Sequence, residues 1–113
     1  MEPGPELDAL VATEVVGWRL GVDELGLPVW EDPVAGFTYE DGASFTPSAN
    51  WLDAGLVVDK MEEDHAFSLN SCGTWHLASF MPVGLGMVSM AEGSTIPHAI
   101  CLAALKAKRG EVA

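Results

Sequence analysis

The sequence is poor in basic residues and rich in acidic ones. Five lysine and arginine residues stand against 17 aspartate and glutamate residues, and the net charge is −12. Twelve of the acidic residues but only one basic residue, Arg19, lie within the first 59 positions. A chain with this balance repels phosphate groups, so direct binding to nucleic acid or to an anionic membrane surface is disfavoured.

Long hydrophobic runs are also missing. The longest apolar stretch, Phe80 to Met90, is interrupted by Pro82, Gly84 and Gly86. It is shorter than the ~20 residues that a membrane helix needs. The first residues are acidic and rich in proline and glycine, whereas a signal peptide begins with a basic and then an apolar segment. We therefore expect a cytoplasmic protein without a membrane partner.

Cysteine is scarce, with Cys72 and Cys101 alone in the sequence. A structural disulfide is not expected in a cytoplasmic chain, and both thiols are predicted to be buried. With His76 and His98 they make a Cys2His2 set. Four residues of extended strand separate Cys72 from His76 by about 13 Å, too far for two ligands of one zinc ion. A Cys/His nucleophile site is disfavoured by the electronegative surroundings, which oppose a thiolate.

Sequence motifs for nucleotide or hydrolase chemistry are absent. There is no P-loop, no G-x-G-x-x-G before a helix and no G-x-S-x-G. Adjacent carboxylates occur several times, but without the spacing of an EF-hand, and are expected to be solvated. The sequence therefore predicts neither an enzyme nor a bound cofactor or metal.

What is present indicates one folded domain over residues 1–113. Half of the residues are hydrophobic (49%), which is typical of a globular chain and not of a disordered acidic tail. The apolar spacing predicts a helix over 5–20 and a second helix from the N-cap Thr46 to about Asp64. A hairpin follows, with strands at 66–70 and 75–81, and then a third strand at 87–91. The last predicted helix is capped by Thr95 or Ser94. The predicted class is α+β, with a small antiparallel sheet of about three strands layered with three helices in the order α-(irregular)-α-β-β-β-α.

The second predicted strand is apolar on both of its faces. Trp75, Leu77 and Met81 fall on one face, and Ala78 and Phe80 fall on the other. Such a strand is expected to be covered on both sides by helices. Three of the four tryptophans, Trp18, Trp51 and Trp75, lie on apolar stripes and are predicted to belong to the core.

Residues 21–46 form the predicted irregular segment, with short strands at 28–30 and 37–40. The segment holds six acidic residues and no basic residue, yet it is rich in large apolar side chains that we expect to wrap against the core. Trp30 is expected either to be buried there or to be an exposed aromatic among acids, suited to contact a protein surface. The candidate partner-binding residues are Asp23, Glu24, Trp30, Glu31, Asp32, Glu40 and Asp41.

Four blocks of the sequence resemble a known family. They are residues 7–12 followed by Gly17 and Trp18, residues 45–48 followed by Trp51, the hairpin around 67–69 and 75–78, and residues 97–105. Together they resemble the phage α-β-α sandwich domain, found in small proteins of tailed bacteriophages and prophages. The resemblance implies that fold and a phage origin, so the cytoplasm expected above is that of the bacterial host. It implies no activity and no catalytic residues.

Two functions follow as hypotheses. The first is a small acidic phage or prophage accessory protein that binds a host or phage protein through that partner's basic surface, such as a counter-defence inhibitor occupying a groove meant for nucleic acid. The alternative is a protein that binds or sequesters a nucleotide, for which the basic cluster Lys106, Lys108 and Arg109 would be needed. A structural or packaging-related phage component is a further alternative.

Overall fold

The computed structural model describes residues 1–33, the backbone of 38–39, and residues 45–84 and 86–110. The first helix begins as α1, Pro5–Leu10, and continues as a π-helical segment, Val11–Val16. It buries Leu7, Val11 and Val15. The predicted helix over 5–20 is correct at its start and wrong at its end. Gly17 adopts a left-handed φ of 85° and stops the helix there.

A first sheet of three antiparallel strands follows directly. It contains β1 (Arg19–Val22), β2 (Pro28–Glu31) and β3 (Thr38–Tyr39), in the order β1-β2-β3. The two short strands predicted in this part of the chain are confirmed, whereas β1 was missed. The loop between β1 and β2 is closed by Asp23, whose Oδ1 accepts the N–H groups of Leu25 (2.8 Å) and Leu27 (2.9 Å). A carboxylate that folds back on its own backbone gives this hairpin a defined tip.

The second helix, α2 (Trp51–Met61), is shorter than predicted at both ends. Its N-cap is Asn50, whose Oδ1 accepts from the N–H groups of Leu52 (2.8 Å) and Asp53 (3.2 Å). Thr46 was wrongly predicted as the cap. Its own N–H donates to the buried carboxylate of Asp53 (2.9 Å), which holds residues 46–49 as a separate turn in front of the helix.

A second antiparallel sheet is built from β4 (His65–Cys72), β5 (Trp75–Pro82) and β6 (Ser89–Gly93), in the order β4-β5-β6. Cys72 pairs with Trp75, which leaves a two-residue loop in which Gly73 has a φ of 62°. The predicted hairpin is confirmed. The third strand is confirmed with a shift of two residues toward the C-terminus.

The last helix, α3 (Ile96–Arg109), has the predicted cap. Thr95 Oγ1 accepts the His98 N–H at 3.2 Å, and Pro97 lies in the first turn. The helix packs along β5 and β6, while α2 contacts α3 and β4, and the first helix packs against α2 and α3. The core therefore lies between the second sheet and the helices, on the sheet face that carries Phe67 and Phe80.

The prediction that β5 is covered on both faces is wrong. Trp75 is 44% exposed and Met81 is 53% exposed, because the helices pack against each other on one side of the sheet. The core role predicted for Trp75 is therefore wrong. The core role predicted for Trp51 is also wrong: Trp51 is the first residue of α2 and is 62% exposed, and the buried apolar residues of this helix begin at Ala54. Trp18 is buried as predicted.

The predicted α+β class is confirmed, with three helices layered on a three-stranded antiparallel sheet. The correction is that the segment called irregular contributes a second small sheet. Within the described ranges, none of the helices has the length and apolarity to cross a membrane.

Candidate functional site

The β1–β2 hairpin, residues 19–31, presents large apolar side chains to solvent. The exposed fractions are 61% for Leu20, 67% for Val22, 83% for Leu25 and 56% for Leu27. Single exposed apolar residues are common on protein surfaces, but a group of four on one hairpin is typical of an interaction site. The expectation that Leu25 and Leu27 wrap against the core is wrong, because more than half of the surface of each side chain is exposed.

Acidic residues flank these apolar side chains. Glu24 is exposed at the tip. Glu31 accepts a hydrogen bond from Arg19 Nε at 2.9 Å across the β1–β2 register, and Asp23 closes the loop. Asp32 is half-buried at the end of β2. Five of the seven candidate residues therefore lie on this hairpin or directly after it, with Asp23 and Glu24 in the loop and Trp30, Glu31 and Asp32 at the other end. Glu40 and Asp41 lie outside the described residues.

Trp30 is buried, with 6% of its surface exposed, and so is not an exposed aromatic contact. It joins the same hydrophobic core as Trp18 and Phe45, whose rings lie 4.8 Å apart. On β2, Trp30 is the direct partner of Leu20 on β1. Trp30 therefore anchors the hairpin to the core while its partner strand stays exposed, which fixes the direction in which the tip projects.

An apolar groove runs beside the hairpin. A cavity of about 400 Å³ lies between Leu20, Pro28 and Trp30 on one side and the start of the first helix on the other. Among the described residues that line it, the acidic one is Asp8, which is 5% exposed and whose Oδ1 accepts the Ser48 N–H at 2.8 Å. The carboxylate therefore organises the turn before α2, and the groove offers mainly apolar surface to a ligand.

Two of the three basic residues required by the nucleotide hypothesis, Lys106 and Arg109, are bonded within the protein, whereas Lys108 is exposed. Arg109 donates two hydrogen bonds of 2.8 Å to the carboxylate of Glu14, and this bonding lowers the pKa of that carboxyl group. Lys106 Nζ donates to the carbonyl oxygen of Met90 at 3.2 Å. Both cations line a cavity of about 390 Å³ that they share with the acidic Glu92. A phosphate group at this site would share Arg109 with Glu14 and would be repelled by the carboxylates of Glu14 and Glu92.

The Cys2His2 set is not brought together. Cys101 is buried, and burial strongly raises the pKa of its thiol. His98 accepts the Ser94 N–H at Nδ1 (3.0 Å), so its Nε2–H donates to the carbonyl oxygen of Met1 (2.8 Å). In the part of the chain that the structure describes, there is no group of three or more potential metal ligands.

The exposure of the second thiol differs from the sequence prediction. Cys72 is exposed, whereas both cysteines were expected to be buried. Cys72 lies on the opposite face of the β4–β5 sheet from His76. Its neighbour Ser71 is hydrogen-bonded to His76 Nδ1 at 2.6 Å, and successive residues of a strand point to opposite faces. The two groups of the Cys/His nucleophile hypothesis are therefore separated by the sheet.

Comparisons with known proteins identify the fold. A family model described as the phage ABA sandwich domain matches residues 9–105. The chain is also similar to a phage protein from Bacillus cereus ATCC 14579, solved as a 2.0 Å crystal structure, with a TM-score of 0.61 and 22% sequence identity over 93% of this chain and 90% of that one. A comparison with curated proteins gives no significant match.

Proposed function

The chain belongs to the phage ABA sandwich domain family, and on that premise we propose that it is a non-enzymatic phage accessory protein that binds a protein partner through its β1–β2 hairpin. The observation that carries the proposal is the exposure of Leu20, Val22, Leu25 and Leu27 on one hairpin that also carries acidic residues.

Apolar side chains supply the affinity of such a contact. Protein interfaces obtain most of their binding energy from a few desolvated residues surrounded by a polar rim. Leu25, which is 83% exposed at the tip, is the side chain with most surface to lose to a partner. Because Trp30 ties β2 to the core, the hairpin pays little ordering cost when it binds.

Charge selects the partner. Glu24 is exposed at the tip, and Asp32 lies at the other end of β2 beside Glu31, which Arg19 partly neutralises, on a chain whose net charge is −12. A partner that fits has an apolar pocket rimmed by lysine or arginine, and long-range attraction would speed its association. Proteins that hold nucleic acid in a basic groove meet this description, which supports a counter-defence role in the bacterial cytoplasm.

The proposal is tested by photo-cross-linking in a bacterial host that expresses the chain. A photoreactive residue is placed at Leu25 in one variant and at Leu52, an 80%-exposed leucine of α2, in the control. Position 25 is expected to give a cross-linked adduct whose protein carries a net positive charge, and position 52 is not. Leu52 is the matched control because it is equally accessible and lies outside the hairpin.

The charge component is tested with the same assay. Glu24→Lys in the variant labelled at position 25 is expected to reduce the yield of that adduct at least several-fold, since a like charge then faces the partner's rim. Equal adduct yields at positions 25 and 52, or an adduct with an acidic protein, would refute the proposal.

A further inference from the structure

One edge of the first sheet is open. Its strand order is β1-β2-β3, so β1 pairs with β2 along one side, and in the part of the chain that the structure describes no strand pairs with its other side. Two side chains of β1, Leu20 and Val22, are 61% and 67% exposed. Proteins usually cover such an edge or place charges on it, because its unpaired backbone groups can bind another strand.

The backbone groups at this edge belong to Leu20 and Val22. The Asp23 N–H donates to the carbonyl oxygen of Leu27 at 2.9 Å, so the backbone of Asp23 faces β2. Along an antiparallel strand, residues that bond the neighbouring strand alternate with residues whose N–H and C=O groups point away from it. Val22 accordingly lies opposite Pro28, which has no N–H to donate. Leu20 and Val22 therefore direct two N–H groups and two carbonyl groups to the open edge.

A carboxylate from β2 lies over β1 beside this edge. Glu31 Oε1 lies 2.6 Å from the position that a Cβ of Gly21 would occupy, so the missing side chain of Gly21 makes room for it. Arg19 Nε donates to the other carboxylate oxygen, Oε2, at 2.9 Å. Among the described residues, none donates a hydrogen bond to Oε1. This oxygen is therefore available to a cationic side chain on a strand placed next to β1.

The opposite face of β1 borders the apolar groove. Leu20 and Val22 share this face with their direct partners Trp30 and Pro28, and Leu20 lines the groove of about 400 Å³. Side chains of a strand alternate between its two faces. A strand added at the open edge would therefore place every second side chain beside the groove and the intervening ones on the side of Glu31. The edge suits a segment in which apolar and basic residues alternate.

We propose that the protein partner adds an extended segment of alternating apolar and basic residues to the open edge of β1, as a fourth strand of the first sheet. This inference rests on the proposed function and specifies how the hairpin binds. Main-chain hydrogen bonds to Leu20 and Val22 supply affinity in this mode, and the side chains supply specificity. The exposed Glu24 and the net charge of −12 favour a basic segment over a second copy of the chain, which carries the same charge.

The probe is a short peptide of alternating valine and lysine, added to the isotopically labelled full chain up to about 1 mM, where weak complexes form. Amide hydrogen exchange is read residue by residue by nuclear magnetic resonance. Exchange of the Leu20 and Val22 N–H groups is expected to slow at least about tenfold. Exchange at Gly21, whose N–H already faces β2, is expected to stay unchanged. A peptide of alternating valine and glutamate is the control and is expected not to bind.

Substitutions at Val22 separate the backbone contribution from the side-chain contribution. Val22→Pro removes the N–H at the open edge, which β2 does not use, whereas Val22→Ala shortens the side chain and keeps that N–H. The proline variant is expected to weaken peptide binding at least about tenfold and the alanine variant less than about threefold. An ester in place of the amide N–H of Val22, with the side chain kept, repeats the test should Val22→Pro disturb the hairpin.

The charge on Glu31 is tested by Glu31→Gln, which keeps the shape of the side chain and is expected to weaken binding of the valine–lysine peptide several-fold. Absence of peptide binding, unchanged exchange at Leu20 and Val22 on binding, or equal losses for the backbone and alanine variants would overturn the proposal. So would exchange at these residues that slows in the free chain as its concentration rises, because a second copy would then occupy the edge. The lack of an adduct at position 25 would instead refute the proposed function, since the peptide assay does not depend on that adduct.

Discussion

Phe80→Ala is expected to lower the free energy of unfolding by about 3–5 kcal/mol, the range measured for deleting a fully buried phenylalanine. The Phe80 ring is completely buried on the helix-covered face of β5, and its centroid lies 5.2 Å from that of Phe67. A domain of this size has a total stability of about 5–15 kcal/mol, so the loss would be a large fraction of it. Urea denaturation followed by circular dichroism measures the change.

Met81→Ala is the matched control, since Met81 is the next residue of the same strand and lies on the sheet face opposite the helices. It is 53% exposed, and its truncation is expected to cost less than about 1 kcal/mol. Similar losses for Phe80→Ala and Met81→Ala would mean that both faces of β5 are packed, contrary to the fold described above.

Gly93→Ala is expected to destabilise the domain by about 2–3 kcal/mol, at the upper end of the cost of overpacking a core. Gly93 ends β6 directly against α3, and a Cβ there would lie 2.3 Å from the backbone nitrogen of Ala99 and 2.7 Å from its Cα. Backbone atoms of a helix cannot rotate away as a side chain can. The strand and the helix would have to separate where their contact is most extensive.

Gly55→Ala provides the same change of one methyl group at a site with open space. Gly55 lies in α2, and no atom lies within 4 Å of an added Cβ. Alanine is favoured over glycine inside a helix by about 0.5–1 kcal/mol, so this variant is expected to be more stable than the wild type. Thermal unfolding of the two variants should shift in opposite directions. Shifts in the same direction would contradict the packing of β6 on α3.

Local sequence signals were sufficient for much of the fold. The period-two pattern located the hairpin of β4 and β5, and Thr95 with Pro97 located the start of α3. The resemblance to the phage sandwich family, carried by short blocks such as residues 97–105, is confirmed by the family match over residues 9–105. These signals depend on neighbours in the chain, which the sequence shows directly.

Features that depend on distant residues could not be predicted. Asn50 caps α2 because Thr46 is already bound to Asp53, and nothing in a local pattern reveals that bond. β1 was missed because its strand character comes from pairing with β2. Trp75 was assigned to the core because it lies on an apolar stripe, and only the three-dimensional structure shows that no helix covers that side of the strand.

The candidate site was predicted in part. Asp23 and Glu24 lie in the loop of the β1–β2 hairpin, and Glu31 and Asp32 lie at its other end, whereas their role in binding a partner stays a prediction. The exposed leucines beside them were missed, because apolar residues in a segment rich in aromatics were expected to face the core. No local pattern signalled their exposure, because Leu20 and Val22 alternate with Arg19 and Gly21, and such an alternation predicts that the apolar residues face the core.

The most direct test of the central claim is the salt dependence of binding to the protein that cross-links at position 25. Its dissociation constant is measured from about 50 mM to about 500 mM sodium chloride, which shortens the screening length well below the size of the interface. We predict that the dissociation constant rises at least about tenfold over this range, and rises less for Glu24→Gln. A dissociation constant that does not change with salt would contradict an acidic hairpin that recognises a basic surface.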